Sequence, residues 1–370
     1  MQVRKLVARA AMVAESAVQT MVLLVLRVRG RHLPMIVPFI GHGTTRSVRI
    51  GGRVVLGRPE AAAPAVGVPQ AQPPTPRSRR AVLRATIARF LTVEVPGAVV
   101  TVRGPGVSTQ IRTDRDGYLD TVLDLDEPLQ PGWHGFELRL RDGAAVTAQV
   151  LVVDPEARIG LVSDVDDTIV ETGLTRGIEF VRATLLTPVR ERTPLPGAAA
   201  LYRALVEPAG GPVRPVFYVS TSPWNLHEML LEFVALRQFP LGPLLLTDWG
   251  PSRSGLFRIG AQEHKAGLVE RMLEEHPQLG LILVGDSGQL DPEIYAALAR
   301  AHPNRIRAVY IRRTRHALAS RIAEVDALAA EVSAAGVPML AVDDSVQIAV
   351  HAAQLGLLDD TALEEVRAAG

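Results

Sequence analysis

Cysteine is missing from this chain of 370 residues. Its absence excludes disulfide bridges, zinc sites built on thiolates and cysteine nucleophiles. Aromatic residues are also scarce, at 4% of the chain, whereas hydrophobic residues reach 47% and charged residues 21%. This composition is typical of a globular protein, and the length allows two domains with a sizeable core.

Lysine is almost missing as well, because Lys5 and Lys265 are the only lysines among 40 basic residues. Where arginine supplies nearly every positive charge, a retained lysine indicates a position that needs a compact ammonium group instead of a planar guanidinium group. Chance is the competing explanation for a single residue. Lys265 is therefore a candidate functional residue that needs support from its surroundings.

Acidic residues are rare in the first quarter of the chain. Residues 1–92 hold fifteen Lys or Arg against Glu15 and Glu60, so this part carries about +13 and the remainder about −12. Such polarity predicts an anionic partner, either a membrane surface or nucleic acid, or else a basic face that packs on the acidic remainder. Phe39 and Phe90 are the only Phe, Tyr or Trp residues in this part, so it offers no platform for stacking bases, and nucleic acid is the less expected partner.

No membrane span is expected near the N-terminus. The uncharged stretch from Ser16 to Leu26 is far shorter than the ~20 residues that cross a bilayer, and the arginines after it do not fit a signal-peptide cleavage site. The stretch is predicted to be a helix that packs on the core of the protein or lies on a membrane. We therefore expect a cytoplasmic protein, with peripheral membrane contact as an open alternative.

Composition and periodicity divide the chain into regions of different predicted structure. Residues 79–154 hold short apolar runs bounded by turn residues, which indicates a small antiparallel β-sandwich. Residues 155–357 hold apolar runs separated by helix-length segments, which indicates an α/β domain with a parallel sheet covered on both faces. The other predicted regions are a basic segment with a helix and a strand (1–58), an Ala/Pro-rich linker (59–78) and a C-terminal tail (358–370).

The first acidic motif follows a predicted strand at 159–162. Asp164 and Asp166 lie two positions apart, with Asp167 next to them, and alternation along an extended chain puts Asp164 and Asp166 on the same side. Carboxylates this close raise one another's pKa unless a cation is bound, so a hard divalent ion is expected. A solvated acidic turn is the alternative interpretation.

A second acidic motif follows the predicted strand at 281–284. Gly285 allows a tight backbone and Asp286 can bind a metal ion. Asp291 can orient its neighbours or cap the next helix, and capping is the favoured role. Because ligands bind beyond the carboxyl ends of the strands of a parallel sheet, both motifs are expected at one crevice.

Two more polar segments are predicted near the same crevice. Ser220 and Thr221 follow a strand at 216–219, and their hydroxyls and backbone amides can bind phosphate oxygens. Serine at the end of a strand usually indicates a turn, which is the alternative. Lys265 lies near the start of a predicted helix at 263–275, where its ammonium group would approach a phosphate or a carboxylate nucleophile.

Taken in order, these motifs resemble those of the haloacid dehalogenase superfamily. Over residues 154–357 the resemblance narrows to the catalytic domain of the actin-patch type of phosphatidate phosphatase, on the segments SDVDDTIVETG, FYVSTSPWNL, EHK and LVGDSGQLDPEIY. Thr221 departs from the asparagine expected in that family, which affects the substrate contacts more than the catalytic groups. The positions that match the superfamily motifs are Asp164, Asp166, Thr168, Ser220, Lys265, Asp286 and Asp291.

The resemblance implies a HAD-like Rossmannoid fold and a Mg²⁺-dependent phosphatase. By this resemblance Asp164 is the nucleophile that forms an aspartyl-phosphate, and Asp166 is the general acid and then the base. Mg²⁺ would be held by the Asp164 carboxylate, the Asp166 carbonyl oxygen and Asp286. Ser220, Thr221 and Lys265 would bind the phosphoryl group, Thr168 would orient Asp166 and Asp291 would support the site. Asp167, Trp224 and Arg312 are expected either to assist the site or to have packing or solvent-facing roles.

The expected reaction is the hydrolysis of phosphatidate to diacylglycerol and phosphate. A phosphomonoesterase acting on a soluble or nucleotide substrate is an alternative, because the motifs define the chemistry but not the leaving group. The short segment 172–196 leaves little room for a large cap, which favours bulky substrates. A non-catalytic phosphate-binding scaffold is the third alternative, and the intact acidic and lysine positions argue against it.

Overall fold

The computed structural model describes residues 33–57, 93–141, 143–170, 194–247, 261–314 and 317–370. The predicted N-terminal helix, the linker and most of the segment 172–196 lie outside the described residues. Within the described part, none of the helices is long and apolar enough to cross a membrane.

The first half of the described chain forms a nine-stranded, mostly antiparallel sheet. The pairing of β2 with β9 is parallel, and the other pairs are antiparallel. The strands are β1 (Leu33–Pro38), β2 (Gly41–Gly43), β3 (Ser47–Gly57), β4 (Val93–Glu94), β5 (Val99–Gly104), β6 (Val107–Arg112), β7 (Tyr118–Asp124), β8 (Gly132–Leu140) and β9 (Ala145–Val152).

Strands β1–β3 belong to the same sheet as β4–β9, although the sequence assigned them to a separate basic segment. The long strand β3 pairs with β1, β2, β4 and β7. Its buried Val48, Ile50 and Val54 share one hydrophobic core with Val100 and Phe136. At the level of hydrogen bonds, the predicted sandwich is therefore one connected sheet that includes residues 33–57. The domain boundaries themselves stay a prediction.

The second half of the described chain contains a six-stranded parallel sheet, which confirms the predicted α/β class. Numbered along the chain, its strands lie in the order 3-2-1-4-5-6, so the order reverses between the first and fourth strands. The strands are β10 (Ile159–Asp164), β11 (Val216–Pro223), β12 (Leu244–Thr247), β13 (Gly280–Asp286), β14 (Ile306–Arg312) and β15 (Met339–Val342).

Helices cover both faces of this parallel sheet, as continuous apolar strands predict. Successive strand residues alternate between the two faces, so Leu161 and Tyr218 enter one core while Val162 and Phe217 enter the other. The helices that contribute to the core of Leu161 are α1 (Ala198–Val206), α2 (His227–Leu236), α6 (Ser345–Gln354) and α7 (Asp360–Ala369). The helices that contribute to the core of Val162 are α3 (Ala261–Glu275), α4 (Asp291–Ala301) and α5 (Ala319–Ala334).

The residues predicted as a C-terminal tail form helix α7. The Asp359 side chain caps this helix by accepting a hydrogen bond from the Ala362 N–H group. Leu363 and Val366 are buried in the core on the α1 side of the sheet. Apolar residues at helical spacing in this short segment indicate a helix, which the prediction of a tail did not take into account.

The nine-stranded sheet packs directly on the parallel-sheet domain. Phe39 stacks on Trp224, with ring centroids 4.1 Å apart and planes 9° apart, and its ring lies 4.5 Å from that of His227. Arg53 donates a hydrogen bond to the Asn225 side-chain oxygen at 3.0 Å. The sheet therefore contacts the segment that directly follows β11.

Candidate active site

Two buried aspartates end the two central strands of the parallel sheet. Asp164 is the last residue of β10 and Asp286 is the last residue of β13. The two strands are in register, since Ser163 pairs with Val284. Both carboxylates therefore lie at the carboxyl ends of neighbouring strands, at the point where the strand order reverses and where open α/β sheets bind ligands.

Lys265 joins the first of these aspartates to Asp291. Its Nζ donates hydrogen bonds to Asp164 Oδ1 at 2.7 Å and to Asp291 Oδ1 at 2.5 Å, and its side chain is only 2% exposed. Burial alone would lower the pKa of Lys265, but the carboxylates of Asp164 and Asp291 raise it well above its usual value. The ammonium group expected from the sequence is thus a buried, charged partner of two carboxylates.

Asp291 does not cap helix α4, contrary to the favoured prediction. Leu290 is at the cap position and makes no side-chain cap bond, whereas Asp291 is the first helical residue. Its Oδ2 accepts the Asp286 N–H at 3.2 Å while Oδ1 faces Lys265. The start of α4 packs so close to β13 that a Cβ atom on Gly285 would lie 2.5 Å from Asp291 Oδ2. Glycine at 285 therefore allows Asp291 to reach Lys265.

Asp286 keeps one carboxylate oxygen without a hydrogen-bond partner among the described residues. Oδ1 accepts the N–H groups of Gly288 at 2.6 Å and Gln289 at 3.1 Å, whereas the buried Oδ2 accepts none. Burial raises the pKa of Asp286 well above its usual value, and the carboxylates of Asp291 and Asp164 add to this effect. An unpaired buried oxygen of this kind indicates a missing positive partner.

The Asp164 carboxylate is held from both sides. Oδ1 accepts from Lys265, and Oδ2 accepts from the Thr168 hydroxyl at 3.2 Å. Thr168 therefore orients Asp164. The sequence had instead predicted that Thr168 orients Asp166. Asp167 has a left-handed backbone with a φ of 53°, and this turn carries Thr168 back toward the strand end. Burial raises the pKa of Asp164 to about 8, opposed by the charge of Lys265.

Asp166 is held by two serines of β11. Ser220 and Ser222 donate their hydroxyl hydrogens to Asp166 Oδ2 at 3.2 and 3.1 Å. Burial raises the pKa of Asp166, and these two hydrogen bonds oppose the shift. Ser222 was absent from the predicted site. Its signal in the sequence is the two-residue spacing from Ser220, because β11 continues to Pro223 and alternate residues of a strand share a face.

The acidic cluster fits a metal ion. Asp164, Asp286 and Asp291 can each bring one oxygen within 4.8 Å of the others. With Asp166, four buried carboxyl groups lie near the ammonium group of Lys265, and repulsion between their ionised forms favours a bound cation. Asp286 Oδ2 is the carboxylate oxygen of this cluster that has no hydrogen-bond partner among the described residues, so Asp286 is the side chain best placed to hold a hard divalent ion, with Asp164 next to it.

The segment that carries this site matches a known family. Residues 159–313 match the family described as the catalytic domain of phosphatidate phosphatase APP1. This segment belongs to that family. The phosphatidate phosphatase APP1 of Saccharomyces cerevisiae is 32% identical over 154 residues, which are 42% of this chain and 26% of that protein.

More distant relatives add little to this assignment. An uncharacterized protein of Schizosaccharomyces pombe is 28% identical over 172 residues, which are 45% of this chain and 27% of that protein. The chain thus spans about a quarter of the length of these curated relatives. A solved carbohydrate acetylesterase from Xanthomonas citri shares 10% identity and a TM-score of 0.28 over 75% of this chain and 68% of that one, too distant a likeness for any conclusion.

All the predicted site positions lie inside the part that matches the phosphatidate phosphatase family. Thr221 lies between the two serines of β11 and is partly buried. Arg312 donates to the Ser345 hydroxyl at 3.5 Å, and Trp224 stacks on Phe39. Tyr202, which the sequence analysis did not select, is within 2.6 Å of the Ser163 hydroxyl beside Asp164.

Proposed function

We propose that the chain is a Mg²⁺-dependent phosphatidate phosphatase of the haloacid dehalogenase superfamily. The observation that carries the proposal is the buried contact of Lys265 with Asp164 at the end of β10, inside the segment that matches the family. In this proposal Asp164 is the nucleophile, Asp166 the general acid, and phosphatidate is hydrolysed to diacylglycerol and phosphate. The protein acts in the cytoplasm, and the basic residues near its N-terminus attract it to anionic membranes.

In the first step an Asp164 carboxylate oxygen forms a bond to phosphorus as the bond from phosphorus to the diacylglycerol oxygen breaks. Asp166 gives its proton to the departing oxygen. In the second step water attacks the aspartyl-phosphate, Asp166 takes a proton from this water, and the bond to Asp164 breaks to release phosphate. Lys265 orients Asp164 and stabilises its ionised form at 2.7 Å.

The environment of Asp166 suits a general acid. Burial raises its pKa, so the carboxyl group retains its proton closer to neutral pH than an exposed aspartate would. Ser220 and Ser222 both donate to Oδ2, which assigns the acidic proton to Oδ1. In this proposal the two serines position the acid, and contact of Ser220 and Thr221 with phosphate remains a further prediction.

Mg²⁺ would be held by the Asp164 and Asp286 carboxylates together with the Asp166 carbonyl oxygen. When bound, it supplies positive charge that stabilises the ionised Asp164 and the phosphoryl oxygens. The unpaired Asp286 Oδ2 supports this ligand set. Asp291 does not cap the helix in this proposal. It supports the site by stabilising the ammonium group of Lys265.

The test measures Mg²⁺-dependent phosphate release from phosphatidate in mixed micelles and from a soluble aromatic phosphomonoester. Wild type is compared with Asp164→Asn, which keeps the shape of the side chain, and with Asp124→Asn, which changes an exposed aspartate on β7. We expect Asp164→Asn to lower lipid turnover on the order of 10³-fold or more, and Asp124→Asn to be normal. Activity on the soluble ester alone would retain the chemistry and reject the lipid substrate, and no activity on either would contradict the proposal.

A further inference from the structure

Two histidines and a glutamate meet where the nine-stranded sheet contacts the parallel-sheet domain. His42 lies on β2, Glu275 ends helix α3 and His276 follows it. His42 is 1% exposed and His276 is fully buried. Each of the three side chains can bring one potential ligand atom within 4.8 Å of the other two.

Two atom pairs in this cluster have the spacing of neighbouring metal ligands, and they involve different nitrogens of His42. His42 Nδ1 and His276 Nε2 are 3.1 Å apart, and His42 Nε2 and Glu275 Oε2 are 3.6 Å apart. Ligand atoms bound to one zinc ion at about 2.0–2.1 Å in a tetrahedral arrangement are about 3.3 Å from each other. One ion takes only one of the two His42 nitrogens, so the His42 ring or the partly exposed Glu275 side chain must turn for the three groups, which can each offer one atom within 4.8 Å of the others, to surround one ion.

A hydrogen bond between the two imidazole rings does not satisfy them. It uses one nitrogen of each ring, and among the described residues His42 Nε2 and His276 Nδ1 have no hydrogen-bond partner although both are buried. If His42 donates to His276, its Nε2 lone pair faces the Glu275 carboxylate. If His276 donates, its own Nδ1 is a buried lone pair without a donor. Either tautomer leaves a buried polar atom unsatisfied, which is costly.

Glu275 is held in place to act as a ligand. Arg49 donates from Nε at 3.0 Å and from Nη2 at 2.6 Å to Glu275 Oε1, so Oε2 is the oxygen that faces His42. Hydrogen bonds of this kind orient ligating carboxylates in metal sites.

We propose that His42, Glu275 and His276 bind a divalent transition-metal ion of the zinc class that joins the two domains. Two imidazoles and a carboxylate suit zinc, whereas magnesium prefers oxygen ligands alone. Three protein ligands leave the fourth position of a tetrahedral ion to water. The site is separate from the aspartate cluster and does not depend on the proposed reaction.

The test measures zinc binding by the full chain after removal of metal with a chelator. Zn²⁺ is titrated in competition with a chromophoric chelator, for wild type, His42→Gln and Glu275→Gln. His134→Gln, which changes a histidine of the same sheet outside the cluster, is the matched control. We expect wild type and the control to bind one more equivalent of zinc than the two cluster variants, so zinc held by the aspartate cluster cancels in the difference.

A second measurement separates binding from misfolding. Zn²⁺ should raise the midpoint of thermal unfolding of wild type and of His134→Gln, and should raise that of Glu275→Gln much less, since only a ligand of the folded state stabilises it. If His42→Gln does not fold, the comparison of wild type with Glu275→Gln decides whether the site binds zinc. The glutamine keeps the size of the side chain and an oxygen that accepts from Arg49. Equal zinc stoichiometry and equal zinc-induced shifts in wild type and Glu275→Gln would overturn the proposal.

Discussion

Lys265 links Asp164 at the end of β10 to Asp291 at the start of α4, with Nζ 2.7 Å from one carboxylate and 2.5 Å from the other. All three side chains are at most 2% exposed. A buried ammonium between two buried carboxylates fixes three separate elements around one charge. Removal of that charge should therefore affect the stability of the fold as well as the reaction.

We expect Lys265→Met to destabilise the protein by about 3–5 kcal/mol near pH 8 in the absence of Mg²⁺, because two buried carboxylates lose their partner. Loss of the ammonium group raises the pKa of Asp164 further, so the folded variant binds more protons than the unfolded state and its stability increases as the pH falls. The loss should therefore be smaller at pH 5 than at pH 8. Chemical denaturation at both pH values measures it.

Lys265→Arg is the matched control for charge. It should recover part of the lost stability, yet turn over phosphatidate poorly, because the guanidinium group is longer and planar. If Lys265→Met were as stable as wild type at pH 8, or Lys265→Arg catalysed at the wild-type rate, the assigned role of the ammonium group would be wrong.

Gly285→Ala should damage the site through Asp291. The added Cβ atom would lie 2.5 Å from Asp291 Oδ2 and 2.8 Å from the Tyr295 ring, so Asp291 must move away from Lys265. Overpacking of this kind costs about 1–3 kcal/mol, and phosphatase activity should fall by on the order of 10- to 100-fold. Gly267→Ala in helix α3 is the control, since a Cβ atom there meets nothing within 4 Å and should stabilise the helix by up to about 1 kcal/mol. Equal activity of the two variants would refute the argument.

Ser222→Ala tests the positioning of Asp166. The lost hydroxyl donated to Asp166 Oδ2 at 3.1 Å and opposed the rise in the pKa of that carboxyl group. The pKa should therefore rise further, so Asp166 keeps its proton to higher pH and the alkaline limb of the pH–rate profile moves upward. We expect kcat to fall by roughly tenfold, a fraction of the 10²–10⁴-fold that a positioned acid contributes. Thr221→Asn, which introduces the residue expected in the family, should leave the pH profile unchanged, and an unshifted limb in Ser222→Ala would exclude the proposed contact.

The sequence predicted the positions of the site better than the contacts within it. Asp164, Asp286 and Lys265 follow from motifs at strand and helix ends, because the carboxyl ends of parallel strands meet at one edge. The partner of Thr168 was predicted incorrectly, and of the two roles predicted for Asp291 the favoured cap was wrong, since a side chain near a helix start or a turn can satisfy either a local or a distant group. For Asp291, only the packing of α4 on β13 determines which groups its carboxylate contacts.

The contact between the two domains was beyond the reach of sequence patterns. Phe39 and Trp224 lie 185 positions apart, and neither has a neighbouring motif that predicts their stack. The same is true of Arg53 and Asn225. Because Trp224 and Asn225 directly follow Ser222, the nine-stranded sheet stabilises the segment that holds Asp166 in place. This gives the sheet a structural role next to the site.

His227 lies in this domain contact and should make stability depend on pH. It is buried beside Phe39 and Trp224, and neither ring nitrogen has a hydrogen-bond partner among the described residues. Burial and, to a smaller extent, the positive charge of Arg53 lower the pKa of His227 to about 3. Between that value and about 6.5 the unfolded state binds the additional proton, so the free energy of unfolding falls as the pH falls.

His227→Phe removes this proton and keeps an aromatic ring against Phe39. We expect the variant to be at least as stable as wild type at pH 7.5 and more stable by about 2 kcal/mol at pH 5, since each pH unit between 6.5 and 5 changes the stability of wild type by about 1.4 kcal/mol. Denaturant unfolding at the two pH values measures the difference, and His134→Phe, on the nine-stranded sheet but outside the domain contact, is the control. Some pH dependence should persist, because burial also lowers the pKa values of His42 and His276. A variant with the same loss of stability between pH 7.5 and pH 5 as wild type would show that His227 accepts its proton within the folded protein, and that the domain contact admits water or an anion beside the ring.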